Sequence, residues 1–206
     1  MDILEKVFGS GEKVRLMRLF MFNPNSVFDL NDIAERTDTN PRSIKKEIIN
    51  LEKIELIKSK VFVRDIEKKR GKKKFTIKKK SSGWTLNQKF QYLRPLQDFL
   101  VYMNPFRHNE LIEKLRKIGN IKLLVISGVF IQEWESRVDL FLVGDNIKKG
   151  SLDNVIRGLE SELGKELKYA ALETGDFHYR LNMCDKLISD VLDFPHEKVI
   201  NKIGIE

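Results

Sequence analysis

The sequence predicts an α/β chain, α+β overall, built as two modules with a helical connector. Three observations carry this. Charge is unevenly divided: residues 1–120 hold 27 Lys and Arg against 15 Asp and Glu, whereas residues 121–206 hold 11 against 15. The front half reads as helices followed by strands. The back half alternates strand and helix, the pattern of a small α/β layer. The expected boundaries are 1–82 for the front module, 83–106 for the connector and 107–206 for the back module.

With 206 residues and 24.1 kDa, the chain has room for two small domains. No apolar run approaches the roughly 20 residues that cross a bilayer. The opening "MDILEKVFGSGEK" lacks the apolar core of a secretory signal. The single cysteine, Cys184, excludes an internal disulfide and a cysteine-rich zinc site. The expectation is a cytoplasmic protein with no membrane partner.

Three helices are expected first. "GEKVRLMRLFMFNP" repeats apolar residues at helical spacing and stops at Pro24. "GSG" at 9–11 lacks the Lys-Ser/Thr of a phosphate-binding loop and reads as a lead-in to that helix. "DLNDIAERTD" has Asp29 as N-cap. "TNPRSIKKEIINLEKIELI" has Asn40 as N-cap and Pro41 at the favoured first position. Its Ile44, Ile48 and Leu51 share one face. The opposite face carries Arg42, Lys46 and Asn50, flanked by Ser43 and Lys45. Strand alternation follows in "LIKSKVFVRDI" and "KFTIKKK", joined by "EKKRGKKK". Residues 57–80 hold 12 basic residues and two acids, so this hairpin carries more than the chain's whole excess of +8.

Over roughly residues 8–80 this order of three helices and two strands resembles the winged helix-turn-helix repressors, including the ArsR type. The resemblance implies that the third helix enters the major groove of double-stranded DNA and that the hairpin is the wing. Asn40, Arg42, Ser43, Lys45, Lys46 and Asn50 would then face DNA from the helix. Lys68, Lys69, Arg70, Lys72, Lys73 and Lys74 would hold phosphates from the wing. The plainer reading of the same pattern is a protein-interaction domain with a solvated lysine-rich loop.

In the connector, Gly83 is expected to break the second strand. Phe90, Leu93, Leu96, Leu100 and Met103 then recur at helical spacing, and Pro95 should kink or restart that helix. "NPF" at 104–106 ends it. Such a helix serves either as a homodimer contact or as a cap on a neighbouring core. "RHNELIEKLRKIGN" is a further helix with Gly119 as C-cap. In the back module "IKLLVIS" and "VDLFLVGD" read as strands, the second opening at Asp139. "SLDNVIRGLESELG" reads as a helix from N-cap Ser151 to Gly164. "ELKYAALE" is a third strand, and "TGDFHYRLNMCDKLISDVLD" one last helix with Cys184 on its apolar stripe, a core thiol.

The stretch "SGVFIQEWESRVDLFLVGD", in this setting, resembles the minimal nucleotidyltransferase fold. In that family a strand ends in Gly-Ser, whose loop binds the triphosphate, and the next strand presents two acids that hold Mg²⁺. Here Ser127 and Gly128 stand in reversed order, Ser136 fits the residue before the acids, Arg137 takes the first acid's place and Asp139 the second's. "KYAAL" brings no third carboxylate to its centre. A fixed cation at position 137 repels Mg²⁺. The resemblance therefore implies a degenerate domain with no catalytic residue, metal ligand or cofactor. Ser127, Gly128, Ser136, Arg137 and Asp139 would either hold a nucleotide effector or another anion, or serve as scaffold. In the scaffold reading Arg137 pairs with Asp139 or with solvent.

The combined expectation is a homodimeric transcription regulator. Its rivals are an active nucleotidyltransferase using Mg²⁺ and ATP, and a protein-interaction module of the toxin–antitoxin kind. His108, His178 and His196 show no metal spacing. Trp84 and Trp134 read as loop aromatics, and Arg180 as a surface ion-pair partner.

Overall fold

Ser10, Asp29 and Asn40 each start a helix by accepting hydrogen bonds from backbone N–H groups that the first turn cannot satisfy internally. The computed structural model describes residues 3–70, 73–102 and 108–205; the side chains of 66–70, 73–75 and 108 are not described. It is a mixed α/β chain with small sheets. By its internal contacts it divides into one unit of Met1–Val101 with Ser161–Lys165, and a second of Tyr102–Glu160 with Glu166–Glu206. Met103 and the "NPF" segment lie outside the described residues, as do Gly71 and Lys72.

The first unit comprises α1 (Ile3–Phe8), α2 (Gly11–Phe22), α3 (Leu30–Thr37), α4 (Pro41–Lys53), β1 (Ile57–Arg70), β2 (Lys73–Leu86) and α5 (Leu93–Leu100). Ser10 accepts from the Lys13 amide at 3.2 Å. Asp29 accepts the amides of Asn31 and Asp32, both at 2.9 Å, while Asp32 takes the Asp29 amide, closing a capping box. Asn40 accepts the Arg42 amide at 2.9 Å. The apolar faces of these helices meet in one core around Phe20, Ile33, Ile44, Ile48, Leu51, Leu56 and Leu86. Helix α1, only six residues long, escapes sequence periodicity; Leu4 buries it against this core.

Gly83 does not break the second strand. It lies within β2, opposite Lys60, and Phe28 bridges to the next residue, Trp84. A Cβ at position 83 would stand 2.4 Å from the Phe28 carbonyl oxygen, so glycine is there for close backbone approach. Trp84 is accordingly a strand residue and not a loop aromatic. Each hairpin strand has 14 residues, so the hairpin is about 45 Å long. Nor does Pro95 kink a helix. Helix α5 begins at Leu93, so Pro95 falls in its first turn, where an amide donor is not needed. Leu100 is buried in the first core and Phe90, Leu93 and Leu96 pack against it.

Arg18, only 3% exposed, donates to the carbonyls of Leu100 and Glu162, each at 3.1 Å. Asn23 donates to the Leu19 and Gly164 carbonyls at 2.8 and 2.9 Å. The segment Ser161–Lys165 is thus bonded into the first unit.

The second unit holds α6 (His108–Leu115), β3 (Asn120–Ile126), β4 (Leu140–Asp145), the start of α7 (Lys149–Leu163), β5 (Tyr169–Leu172), α8 (Thr174–Asn182), α9 (Lys186–Asp193) and β6 (Glu197–Asn201). The sheet order is β5-β4-β3-β6, with β4 and β5 parallel and the other pairs antiparallel. Leu123, Val125, Phe141, Val143, Phe177, Ile188 and Val191 form its core. Five expectations change here. The strand expected from "VDLFLVGD" starts at Leu140, so residues 136–139 precede it. Helix α7 starts at Lys149, which puts Ser151 inside the helix rather than at its cap. Gly119 has no left-handed backbone; its Cβ position is crowded by Asn146 and Ile147. The last helix is two, because Asp185 caps a new start by accepting the Leu187 amide at 2.8 Å. Cys184 sits in that break at φ 53°, exposed rather than buried as a core thiol.

Candidate nucleic-acid interface

Helix α4 carries the face that the sequence marks for DNA. Arg42, Lys45 and Lys46 are exposed, opposite the buried Ile44, Ile48 and Leu51. Asn40 is exposed and occupied as the cap; Ser43 is half-buried and donates to the Asn40 carbonyl at 3.2 Å. Asn50 is half-buried. It donates to Glu47 at 3.5 Å, and Glu47 pairs with Lys13. Asn50 also lines an apolar cleft of about 320 Å³ with Phe8, Ile54 and Leu96. Three residues, Asp38 to Asn40, join α3 to α4, with Asp38 at φ 47° making the turn.

The hairpin adds cations that the motif reading did not single out. Lys58, Lys60, Lys78, Lys79 and Lys80 are all exposed. Lys68, Lys69, Arg70, Lys73 and Lys74 are placed by backbone alone. The register sets Lys69 opposite Lys74 and Arg70 opposite Lys73. Arg64 behaves differently. Its guanidinium reaches Asp29 at 2.6 Å and Asp32 at 2.7 Å. The hydrogen bond to Asp32, with the charges of both acids, raises the Arg64 pKa above its ordinary value. One hairpin cation is therefore committed to the capping box of α3.

In the second unit Ser127, Gly128 and Asp139 do come together, as a closed clamp. Asp139 is 3% exposed. One carboxylate oxygen accepts the Val129 amide and the other the Lys168 amide, both at 2.8 Å. The Ser127 hydroxyl donates to the Val138 carbonyl and is buried. Gly128 adopts φ 56°, and a Cβ there would lie 2.1 Å from the Asp139 carboxylate. Arg137 does not pair with Asp139; it pairs with Asp190 of α9. The Ser136 amide donates to the Glu133 carbonyl, and the Ser136 carbonyl accepts from Lys168 at 3.5 Å. A divalent ion fits this arrangement poorly, since both oxygens of its one acid already serve backbone donors and a guanidinium neighbours it in the chain. Among the described residues no group of three His, Cys, Asp or Glu side chains is placed to hold a metal, and no helix is long and apolar enough to cross a membrane.

Arg180 pairs with Asp176 at 3.1 Å. His178 packs edge-on against Phe177, and His196 contacts the Phe194 carbonyl at 2.8 Å. Trp134 packs edge-on against Tyr102. Neither a protein-family model, nor a curated protein, nor a solved structure matches this chain.

Proposed function

We propose that the protein is a DNA-binding transcription regulator whose first unit holds duplex DNA with α4 and the β1–β2 hairpin. The observation that carries this is the succession of two cationic segments in the chain: exposed Arg42, Lys45 and Lys46 on α4, and a hairpin with exposed Lys58, Lys60, Lys78, Lys79 and Lys80 in a segment of 12 basic residues and two acids. Major-groove entry by a helix and phosphate contact by a neighbouring ribbon need these two surfaces. Exposed Ile3, Val7 and Phe99 give the same unit an apolar surface suited to a homodimer contact. In this reading the protein works in the cytoplasm.

The second unit we assign to assembly or ligand sensing, without metal-dependent transfer. The closed clamp around Asp139 supports scaffold over catalysis. Nucleotide transfer with Mg²⁺ and ATP is disfavoured by the same geometry.

An electrophoretic shift assay with genomic DNA fragments tests the proposal. A shift at low salt is expected, falling steeply as salt rises because phosphate contacts release counterions. Changing Lys68, Lys69, Arg70 and Lys72 together to Ala should weaken it and lower the salt slope by about 1 for each phosphate no longer held. No shift at low salt, or a shift indifferent to the four substitutions, would refute it.

A further inference from the structure

The outward face of α4 contains one residue that charge does not explain. Ile49 is 51% exposed. It follows Ile48, which is buried, and one residue turns the helix by about 100°. That rotation carries Ile49 off the core stripe and into the line of Arg42, Lys45, Lys46 and Lys53, which recur at helical spacing along the exposed side. Glu52, also exposed, stands at the edge of this line. A β-branched aliphatic side chain there adds little to helix propensity and leaves apolar surface in water.

Resting on the reading of α4 as a major-groove helix, we infer that Ile49 reads the C5-methyl group of thymine. The major groove offers side chains hydrogen-bonding edges and one apolar feature, that methyl group. An aliphatic side chain ringed by cations has the chemistry to meet it: the cations hold phosphates or purine edges, and the apolar centre meets the methyl. Ile49 is thus a specificity-determining residue, and the site bound contains an A·T pair under the middle of α4.

Duplexes selected from a random pool by the whole protein would be resynthesised with deoxyuridine at single thymidine positions. Uracil keeps every hydrogen-bonding group and removes only the methyl. One replacement should weaken wild-type binding about fourfold, the worth of one buried methyl group. The Ile49→Ala protein should bind both duplexes alike, close to the wild type's affinity for the uracil form. Wild-type affinity unchanged by uracil at every position overturns the inference and leaves Ile49 to a protein contact. Retention of the thymine preference by Ile49→Ala overturns it as well. Either result leaves DNA binding itself standing, whereas failure to select any duplex removes both.

Discussion

Asp139 shows how one side chain decides what a stretch of sequence can do. Its two oxygens tie the loop after β3 to the start of β5 by taking the Val129 and Lys168 amides. The Val129 bond is buried and the Lys168 bond partly so, so losing an acceptor costs more than the hydrogen bond gained on folding. Asp139→Asn presents an amide group where one backbone N–H expects an oxygen. It should destabilise the second unit by about 1–3 kcal/mol, read as a lower midpoint in denaturant unfolding. An unchanged midpoint would return Asp139 to the role of a spare carboxylate. The spacing of Ser127, Gly128 and Asp139 was visible in the sequence, and their meeting follows from it. Their closure was not visible, because it depends on Lys168, which is 29 positions away. The partner of Arg137 was hidden for the same reason, Asp190 being 53 positions away. Ile49 lies off the stripe of Ile44, Ile48 and Leu51 on the helical wheel, so its place was legible, but its exposure among the cations was not singled out.

At the scale of elements, the caps at Asp29 and Asn40 were legible, whereas those expected at Ser151 and Gly119 and the break at Cys184 were not. Asp29 and Asn40 before apolar periodic runs announced the starts of α3 and α4, since an N-cap is a local interaction. The break at Cys184 was obscured because Leu181, Ile188 and Val191 keep helical spacing across it. β6 was overlooked because a five-residue strand with two apolar residues has almost no period to detect. The hairpin illustrates a tertiary cause. Arg64 joins β1 to the capping box of α3 through two carboxylates, and a forked guanidinium suits two acceptors as a lysine cannot. The guanidinium is exposed to solvent, which screens the pair, so Arg64→Ala should leave the global unfolding midpoint almost unchanged. Its larger effect should be local: faster hydrogen exchange at the hairpin amides than at those of α4, and weaker DNA binding with the salt slope preserved. Arg64→Lys should restore neither. If Arg64→Ala instead lowers the salt slope as a phosphate-contacting lysine would, the residue is a DNA contact and not an anchor.

At the scale of the whole molecule, charge divides the chain into a basic front and an acidic back. Composition changes near residue 120, but the first unit runs to Val101 and resumes at Ser161–Lys165. A fragment ending at Val101 would leave the buried Arg18 without the Glu162 carbonyl. Hydrogen bonds from a charged group contribute about 1.5–3 kcal/mol, so that fragment should be less stable than the same unit in the full chain by about that amount. Comparing denaturant unfolding of the fragment and of the whole protein, followed by a probe in the first unit, measures the difference. Equal stability would show that Ser161–Lys165 is dispensable. The returning segment also bears on order in time. During synthesis the ribosome releases the end of α5 first and must add a further 64 residues, from Val101 to Lys165, before the first unit has all its parts. At about 5–20 residues per second this is a wait of about 3–13 s. Through that interval the cationic hairpin has already left the ribosome while the unit that carries it still lacks its returning segment.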